Sequence, residues 1–423
     1  MKPRVAFALL VLPLAGACAA ARPAAPTWTG PPATIERNEA GAYFAPSPAL
    51  QFLVDPYPET GRPSWLGADV ATSIEVDDDR YIWIFGDTLL GTVSDDCPAP
   101  ETYCERSVDK GAMIRNSAGV AERAPDGSFR RVVKYWPSEG DAFPSGVEGE
   151  FLWPLAGVRA GEPVLITANH HTNESGLAPV GNSLVRIANP DDHPEDWEIT
   201  RHTLPNFRAF DGPPPSLVWT MAIVNVGRHV YVFGELGSAF EAKTVLSRFD
   251  SVDTTAPDWT PAPEYLMRNE EGDLQWSRNF DVNRLHVLSG LPGTSETTVD
   301  YDPAVGWYSY QLLPLSFDVH MYTAPHLEGP WQSSGVVYRI PPPWNTTQRK
   351  NCEPAGPDCR AYVVYAVKSH PELAPRGGRA LSYNVNLGSA NLHDAEVAAD
   401  SVQGFYIPRM VVGPNGRPEP TAH

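Results

Sequence analysis

From about Leu66 onward the chain alternates short runs of β-branched and aromatic residues with turn signals, and it carries no long stretch of apolar residues at helical spacing. That pattern predicts an all-β domain with few and short helices. The runs recur in related form: RYIWIFGDTL at Arg80–Leu89, EPVLITANH at Glu162–His170, RHVYVFGELG at Arg228–Gly237, GWYSYQLL at Gly306–Leu313 and RAYVVYAVKS at Arg360–Ser369. The first and third are near copies, Phe85-Gly86-Asp87 against Phe233-Gly234-Glu235. Self-similarity at an irregular period of about 70 residues predicts radial repetition. The expected fold is a single-domain five-bladed β-propeller over residues 40–410, with blades near 66–135, 150–203, 216–280, 294–340 and 360–410 and a tail at 411–423. Residues 40–60, or the run GFYIPRMVVG, would close the ring.

The N-terminus has another pattern. Lys2 and Arg4 precede an apolar run from Val5 to Leu14 that ends in Ala15, Gly16, Ala17 and Cys18. This is the layout of a secretory signal, too short for a permanent membrane span. Residues 1–21 are read as the signal. Small residues before a lone cysteine resemble a lipoprotein signal, with lipidation at Cys18, while cleavage after Ala19 or Ala21 is the alternative. Residues 22–39, rich in proline at their start, then form a semi-rigid tether. The expected location is the bacterial cell envelope, or the periplasm or exterior, with membrane contact only through that lipid.

The remaining cysteines agree with export. Cys97 with Cys104, and Cys352 with Cys359, form two pairs of identical spacing in proline-containing charged stretches, as local disulfides of an oxidising compartment would. Zinc ligands usually stand closer together. The formal charge of −19 opposes nucleic-acid binding, which needs clustered Lys and Arg. It suits a carbohydrate partner, and a monomer is expected. No Gly-x-Ser-x-Gly elbow, phosphate loop or dinucleotide fingerprint occurs. No cofactor is implied, although a structural calcium stays open, with Asp300-Tyr301-Asp302 as its candidate phrase.

In a propeller the innermost strands deliver side chains to one axial pocket, so acids at those strands carry the candidate chemistry. Cleaving a glycosidic bond takes one carboxylic acid and one carboxylate. Asp69 stands at the start of an inner strand, and Asp87 ends the next one. Asp87 has a second reading as the cap of a tight turn. Trp65 and Trp153 are the candidate sugar platforms among tryptophans that otherwise belong to the core. His370 and Asn384 are candidate hydrogen-bonding groups for hydroxyls, and His170 and His171 read as loop residues.

An Asp before an apolar strand, followed by a short turn and Tyr-x-x-x-Phe, resembles the opening of the five-bladed arabinanases and xylosidases. IWIFGDTLLG is similar to the Phe-Gly-Asp-Thr signature of a large family of five-bladed propellers that includes endo-D-arabinanases. The likeness extends loosely through EFLWPLAGV, SETTVDYDPAVGWYSYQL, TAPHLEGPW and SHPELAPRGGRALSYNVN. It implies a glycoside hydrolase acting on a polysaccharide, with arabinofuranose as one candidate sugar, and Asp69 as general base with Asp87 the second matching acid. A general acid is expected on a later blade, with Glu296 first, Glu150 second and Glu235 third. Val70 departs from the arabinanase pattern, which has proline there. The alternative is a non-catalytic surface propeller that binds glycan or protein.

Overall fold

The computed structural model describes residues 44–59, 61–93, 106–137, 140–176, 178–209, 216–237, 241–256, 258–294, 296–313, 316–341, 362–374, 378–387 and 406–414. The signal, the tether, Cys18 and both cysteine pairs lie outside these residues.

The fold is nearly all β, as the alternation predicts. Its strands form six antiparallel sheets, where the repeats suggested five. The first sheet runs in the order Thr72–Glu75, Arg80–Phe85, Ser117–Glu122, Val133–Tyr135. The second, third and fourth begin with Glu150–Arg159, Leu217–Val226 and Val299–Asp302 and meander outward through their successive strands. The fifth begins with Tyr362–Ser369, continues through Gly378–Leu387 and Arg409–Pro414, and ends on the N-terminal strand Ala45–Pro46. Ala45 pairs with Val412, so the two segments expected to supply closure pair with each other. Pro46 is tolerated because it sits on an edge strand.

The sixth sheet has three strands, Ser64–Ala68, Thr88–Val93 and Arg106–Ile114. Its last two are spliced between the second and third strands of the first sheet. The one α-helix among the described residues, Pro48–Val54, starts at Ser47, whose hydroxyl accepts from the Leu50 amide, and has proline in its first turn.

Side chains alternate across each strand, and here both faces are apolar. In Arg80–Phe85, the odd residues Tyr81, Trp83 and Phe85 join a cluster with Leu373, Ala380, Met410 and Val412 of the fifth sheet and its adjoining turn. The even residues Ile82 and Ile84 join Leu152, Ile166 and Val185 of the second sheet. Three more clusters join the second sheet to the third (Leu165 and Leu184 with Trp219), the third to the fourth (Phe233 and Leu246 with Tyr322), and the fourth to the fifth (Tyr310 and Met321 with Leu381). Packing is close: a Cβ on Gly157 would collide with Ile74 of the first sheet.

Trp83 is fully buried and stacks on Phe85 and on His370 of the adjoining fifth-sheet segment. Trp83→Ala should lower the unfolding free energy by about 3–5 kcal/mol. The check is the denaturant midpoint at unchanged slope. A loss below about 1 kcal/mol would show that this seam carries little of the stability.

Candidate functional site

Asp69 lies just beyond Ser64–Ala68, at a reversal where Val70 and Ala71 adopt positive φ, 66° and 47°. The proline of the arabinanase pattern could not occupy position 70 in this conformation, because its ring locks φ near −65°. The reversal is tied to the Phe-Gly-Asp-Thr phrase. The Asp69 amide donates to the Asp87 carbonyl at 3.3 Å, and the Gly86 amide donates back to the Asp69 carbonyl at 3.1 Å. Gly86 must be glycine, since a Cβ there would collide with Asp69 Oδ1. Phe85 anchors the phrase in the core, and the Thr88 hydroxyl donates to the Gly86 carbonyl at 2.8 Å. The third sheet repeats the device: Gly234 lets Trp219 press against the backbone, and Glu235 follows it.

Four carboxyls share one enclosed region. Asp69, Asp87 and Glu296 are half-buried, and Glu235 is 9% exposed. The Tyr365 and Tyr406 hydroxyls donate to Asp69 Oδ2 at 3.1 and 3.2 Å. Burial, then the charges of Asp87 and Glu296, nevertheless raise the Asp69 carboxyl well above the ordinary range. Asp87 Oδ1 accepts the Trp153 indole N–H at 2.9 Å, with the Arg115 guanidinium at 3.6 Å. Burial outweighs these partners and pushes Asp87 up to about 6. Glu235 is pushed up to about 7, by burial first and then by Glu296. Glu296, in a left-handed conformation at φ 58°, is raised by burial and pulled back by Lys368.

Lys368 is fully buried, and its ammonium donates to the Leu155 carbonyl at 2.7 Å and the Thr297 carbonyl at 3.4 Å. Burial pushes it down to about 7 against the pull of Glu296, Asp69 and Glu235. Beside this group is a cavity of about 160 Å³. Glu235, Glu296, Thr294, Thr297, Tyr310 and Tyr365 give it polar groups, and Leu312, Leu313, Val364 and Val367 form an apolar wall.

The structure thus brings Asp69, Asp87, Glu235 and Glu296 together, and it disperses the other candidates. Glu150 instead contacts His170, whose Nδ1 stands 2.7 Å from Glu150 Oε2 and whose Nε2 stands 2.6 Å from Ser183 Oγ. Trp65 is fully buried against Phe85 and the Lys134 ammonium, with its N–H on Ser117, which leaves no free face for a sugar. Trp153 is half-buried, packs at a tilt against His171 with ring centroids 4.0 Å apart and holds Asp87, so it serves the site as a hydrogen-bond donor. His370 is fully buried between the Ser73 and Ser382 hydroxyls and held neutral by burial, its pKa near 3. Asn384 is fully buried and donates to the Ala68 carbonyl at 2.9 Å, where it steadies the approach to Asp69. Asp302 pairs with Arg379 at 2.7 Å, and among the described residues no group of three or more His, Cys, Asp or Glu could hold a metal.

Sequence reasoning missed Lys368, Tyr365, Tyr406 and Arg115. Tyr365 and Lys368 are three apart, so strict alternation places them on opposite faces. The strand bulges between them, with Ala366 at φ 53°: Tyr365 pairs with Asn384 but Lys368 with Ser382, and the extra residue returns both to one side.

A candidate hydrolase from Bacteroides ovatus has a similar fold, with a TM-score of 0.57 at 15% identity over 87% of this chain and 96% of its own. A GH43 β-xylosidase/α-arabinofuranosidase from a compost microbial metagenome, in complex with xylotriose, gives a TM-score of 0.44 at 10% identity over 88% and 94%. A GH43_1 enzyme from Xanthomonas citri gives 0.43 at 10% over 86% and 92%. Only the first is near enough to speak to the fold. No curated protein matches. The model of one family covers residues 57–411, and the chain therefore belongs to that family, DUF5005, a domain of unknown function.

Proposed function

We propose that the chain is a five-bladed β-propeller glycoside hydrolase, with Asp69 as general base and Glu235 as general acid. The observation that carries this reading is the grouping of four carboxyls of raised proton affinity, of which Glu235 and Glu296 line the cavity while Asp69 accepts from Tyr365 of the same lining. Carboxyls set in different surroundings can divide the acid and base roles. The five apolar clusters, each between two sheets and the last returning to the first, support the blade count. The three-stranded sheet is then an elaboration of blade one. A cavity near 160 Å³ is of the size that admits one six-membered ring, since an engineered cavity of about 150 Å³ takes benzene.

The roles follow from the neighbours. Asp69 is raised above the ordinary carboxyl range, and two tyrosine hydroxyls hold one of its oxygens in place, which orients it as a base. The acid must keep its proton near neutrality. Glu235 does so at about 7, lines the cavity and is held protonated partly by the charge of Glu296. Lys368 favours the anion at both Glu296 and Glu235. We assign the acid role to Glu235, which sequence order had placed after Glu296, because Glu235 is the more deeply buried of the two and is still pushed up to about 7, with Glu296 and Asp87 tuning the pair. The likeness of IWIFGDTLLG to the endo-D-arabinanase group makes an arabinofuranose polysaccharide the first substrate to try. On the sequence features, the chain is an exported monomer, lipid-tethered at Cys18 or cleaved just beyond it, with disulfides Cys97–Cys104 and Cys352–Cys359.

Incubation with cell-wall polysaccharides should release oligosaccharides or monosaccharides. Asp69→Asn should reduce kcat/KM by about 10²–10⁴-fold while ligand binding persists. Glu235→Gln should cost as much on natural substrates but far less on aryl glycosides, whose leaving groups need no proton. Release of no sugar by the wild-type protein, with glycan binding intact, would replace the hydrolase by a binding propeller.

Glu235 also links stability to pH. Its folded pKa of about 7 exceeds its ordinary 4.5, so its stabilisation is complete below about 4.5 and is lost as pH rises through 7. Between those limits wild-type stability should fall relative to Glu235→Gln by on the order of 3 kcal/mol. Parallel chemical denaturation of the two proteins at pH 4.5 and 7.5 measures this, and a pH-independent difference would contradict the raised affinity.

A further inference from the structure

Three sheets deliver a polar residue near the end of their second strand in the same way. Asp87 follows Phe85-Gly86, Glu235 follows Phe233-Gly234, and in the second sheet Asn169 follows Thr167-Ala168. The neighbouring inner strand breaks its regular pairing beside each one: at the Val70-Ala71 reversal, between Val218 and Ala222, and at Leu155, which the pairing skips. Asn169 pairs with Trp153, whose indole N–H holds Asp87. Its side chain bonds to Thr220, two residues beyond Val218, the partner of Glu235. Asn169 therefore stands between the two acids, at the station each of them holds on its own sheet.

Its amide is locked in one orientation. The Trp219 backbone N–H can only donate, and its bond of 2.8 Å fixes which side of the Asn182 amide is the oxygen. The other side of Asn182 is then a donor, and it meets Asn169 at 2.7 Å, so the atom it meets is Oδ1. The Thr220 hydroxyl donates to the same oxygen at 2.8 Å, which engages both of its lone pairs. Nδ2 is left over. Among the described residues it meets no acceptor, and the side chain is half-buried, so its N–H groups remain for a ligand.

We propose that Asn169 is a substrate-binding residue of this site, its fixed Nδ2 donating to a hydroxyl of a neutral sugar. The surrounding carboxyls disfavour an anion, and the amide has no spare lone pair for a cation. A hydroxyl suits both neighbours, since it can accept from Asn169 while it donates to a carboxylate. The proposal deepens the hydrolase reading and rests on the same site.

Calorimetric titration with arabino- and xylo-oligosaccharides in an Asp69→Asn background measures binding without turnover. Adding Asn169→Ala should weaken binding about tenfold at every pH, the worth of one hydrogen bond. Asn169→Asp keeps the oxygen that Asn182 and Thr220 bond and makes the donor titratable. It should bind about tenfold more weakly than the parent at pH 9 and approach the parent at pH 4.5, where the new carboxyl is protonated and donates again. A residue that only propped its two neighbours would be spared by Asn169→Asp and would show no such pH-dependent ratio. If Asn169→Asp does not fold, the affinity of Asn169→Ala decides. Unchanged affinity in Asn169→Ala, a pH-independent ratio in Asn169→Asp, or no binding of any of these sugars would overturn the proposal. Binding that depends on Asn169, in a protein whose wild type cleaves nothing, would leave the proposal standing and remove only the hydrolase. Cleavage by the wild type with affinity indifferent to Asn169 would do the reverse.

Discussion

The constraint on which the site depends is electrostatic: four carboxyls are enclosed together with two cations, Arg115 beside Asp87 and Lys368 among Asp69, Glu235 and Glu296. Removing a charge from water is expensive unless it is paired and hydrogen-bonded, and otherwise the group keeps its neutral form. With fewer cations than acids, burial and mutual repulsion raise the proton affinity of all four carboxyls. The distribution is set by geometry. Arg115 and the Trp153 N–H draw charge to Asp87, and Lys368 draws it to Glu296. Coupled groups of this kind titrate as a set, so changing one partner moves the proton affinity of the others.

The sheets make such crowding affordable because apolar packing between them is extensive and the acids sit only at or near the ends of strands. The strand Arg80–Phe85 gives one face to the fifth sheet and the other to the second, leaving its end at Gly86-Asp87 as the first point at which a polar side chain can be delivered. The matching end of His229–Leu236 delivers Glu235. Close backbone approach at Gly86 and Gly234 is part of the same geometry, since any larger residue would displace Asp69 in one case and Trp219 in the other.

Much of this was legible in the sequence for that reason. Short runs of β-branched and aromatic residues between turn signals meant sheets, and the twin phrases around Asp87 and Glu235 marked equivalent strand ends. Asp69, Asp87, Glu235 and Glu296 could all be named from their places before or after strands. Their proton affinities could not, because these depend on Lys368, which reaches the site through a bulge, and on Arg115, just beyond the last strand of the spliced sheet. The sixth sheet was hidden as well, its strands read as part of the first repeat. Trp65 and Glu150 misled because nearness in sequence to an acid says nothing about the direction of a side chain: Trp65 points into the core, and Glu150 into its pairing with His170.

Backbone conformation adds an independent reason to see this region as the working part of the molecule. Among the described residues, six non-glycine residues have positive φ: Val70, Ala71, Asn206, Glu296, Ala366 and Tyr406. All but Asn206 are members of the site or within two residues of one. Each such residue costs of the order of 1–3 kcal/mol, more for a β-branched side chain such as Val70, and persists only where the surroundings over-determine it. Strain scattered at random would not single out the reversal after Asp69, the glutamate facing Lys368, the bulge that aims Lys368 and the tyrosine that donates to Asp69. A fold that needed only to be stable would relax these positions with glycine or a longer turn. Their concentration is what is expected where carboxyls and an ammonium must be held at fixed orientation against their own tendency to move apart or to solvent.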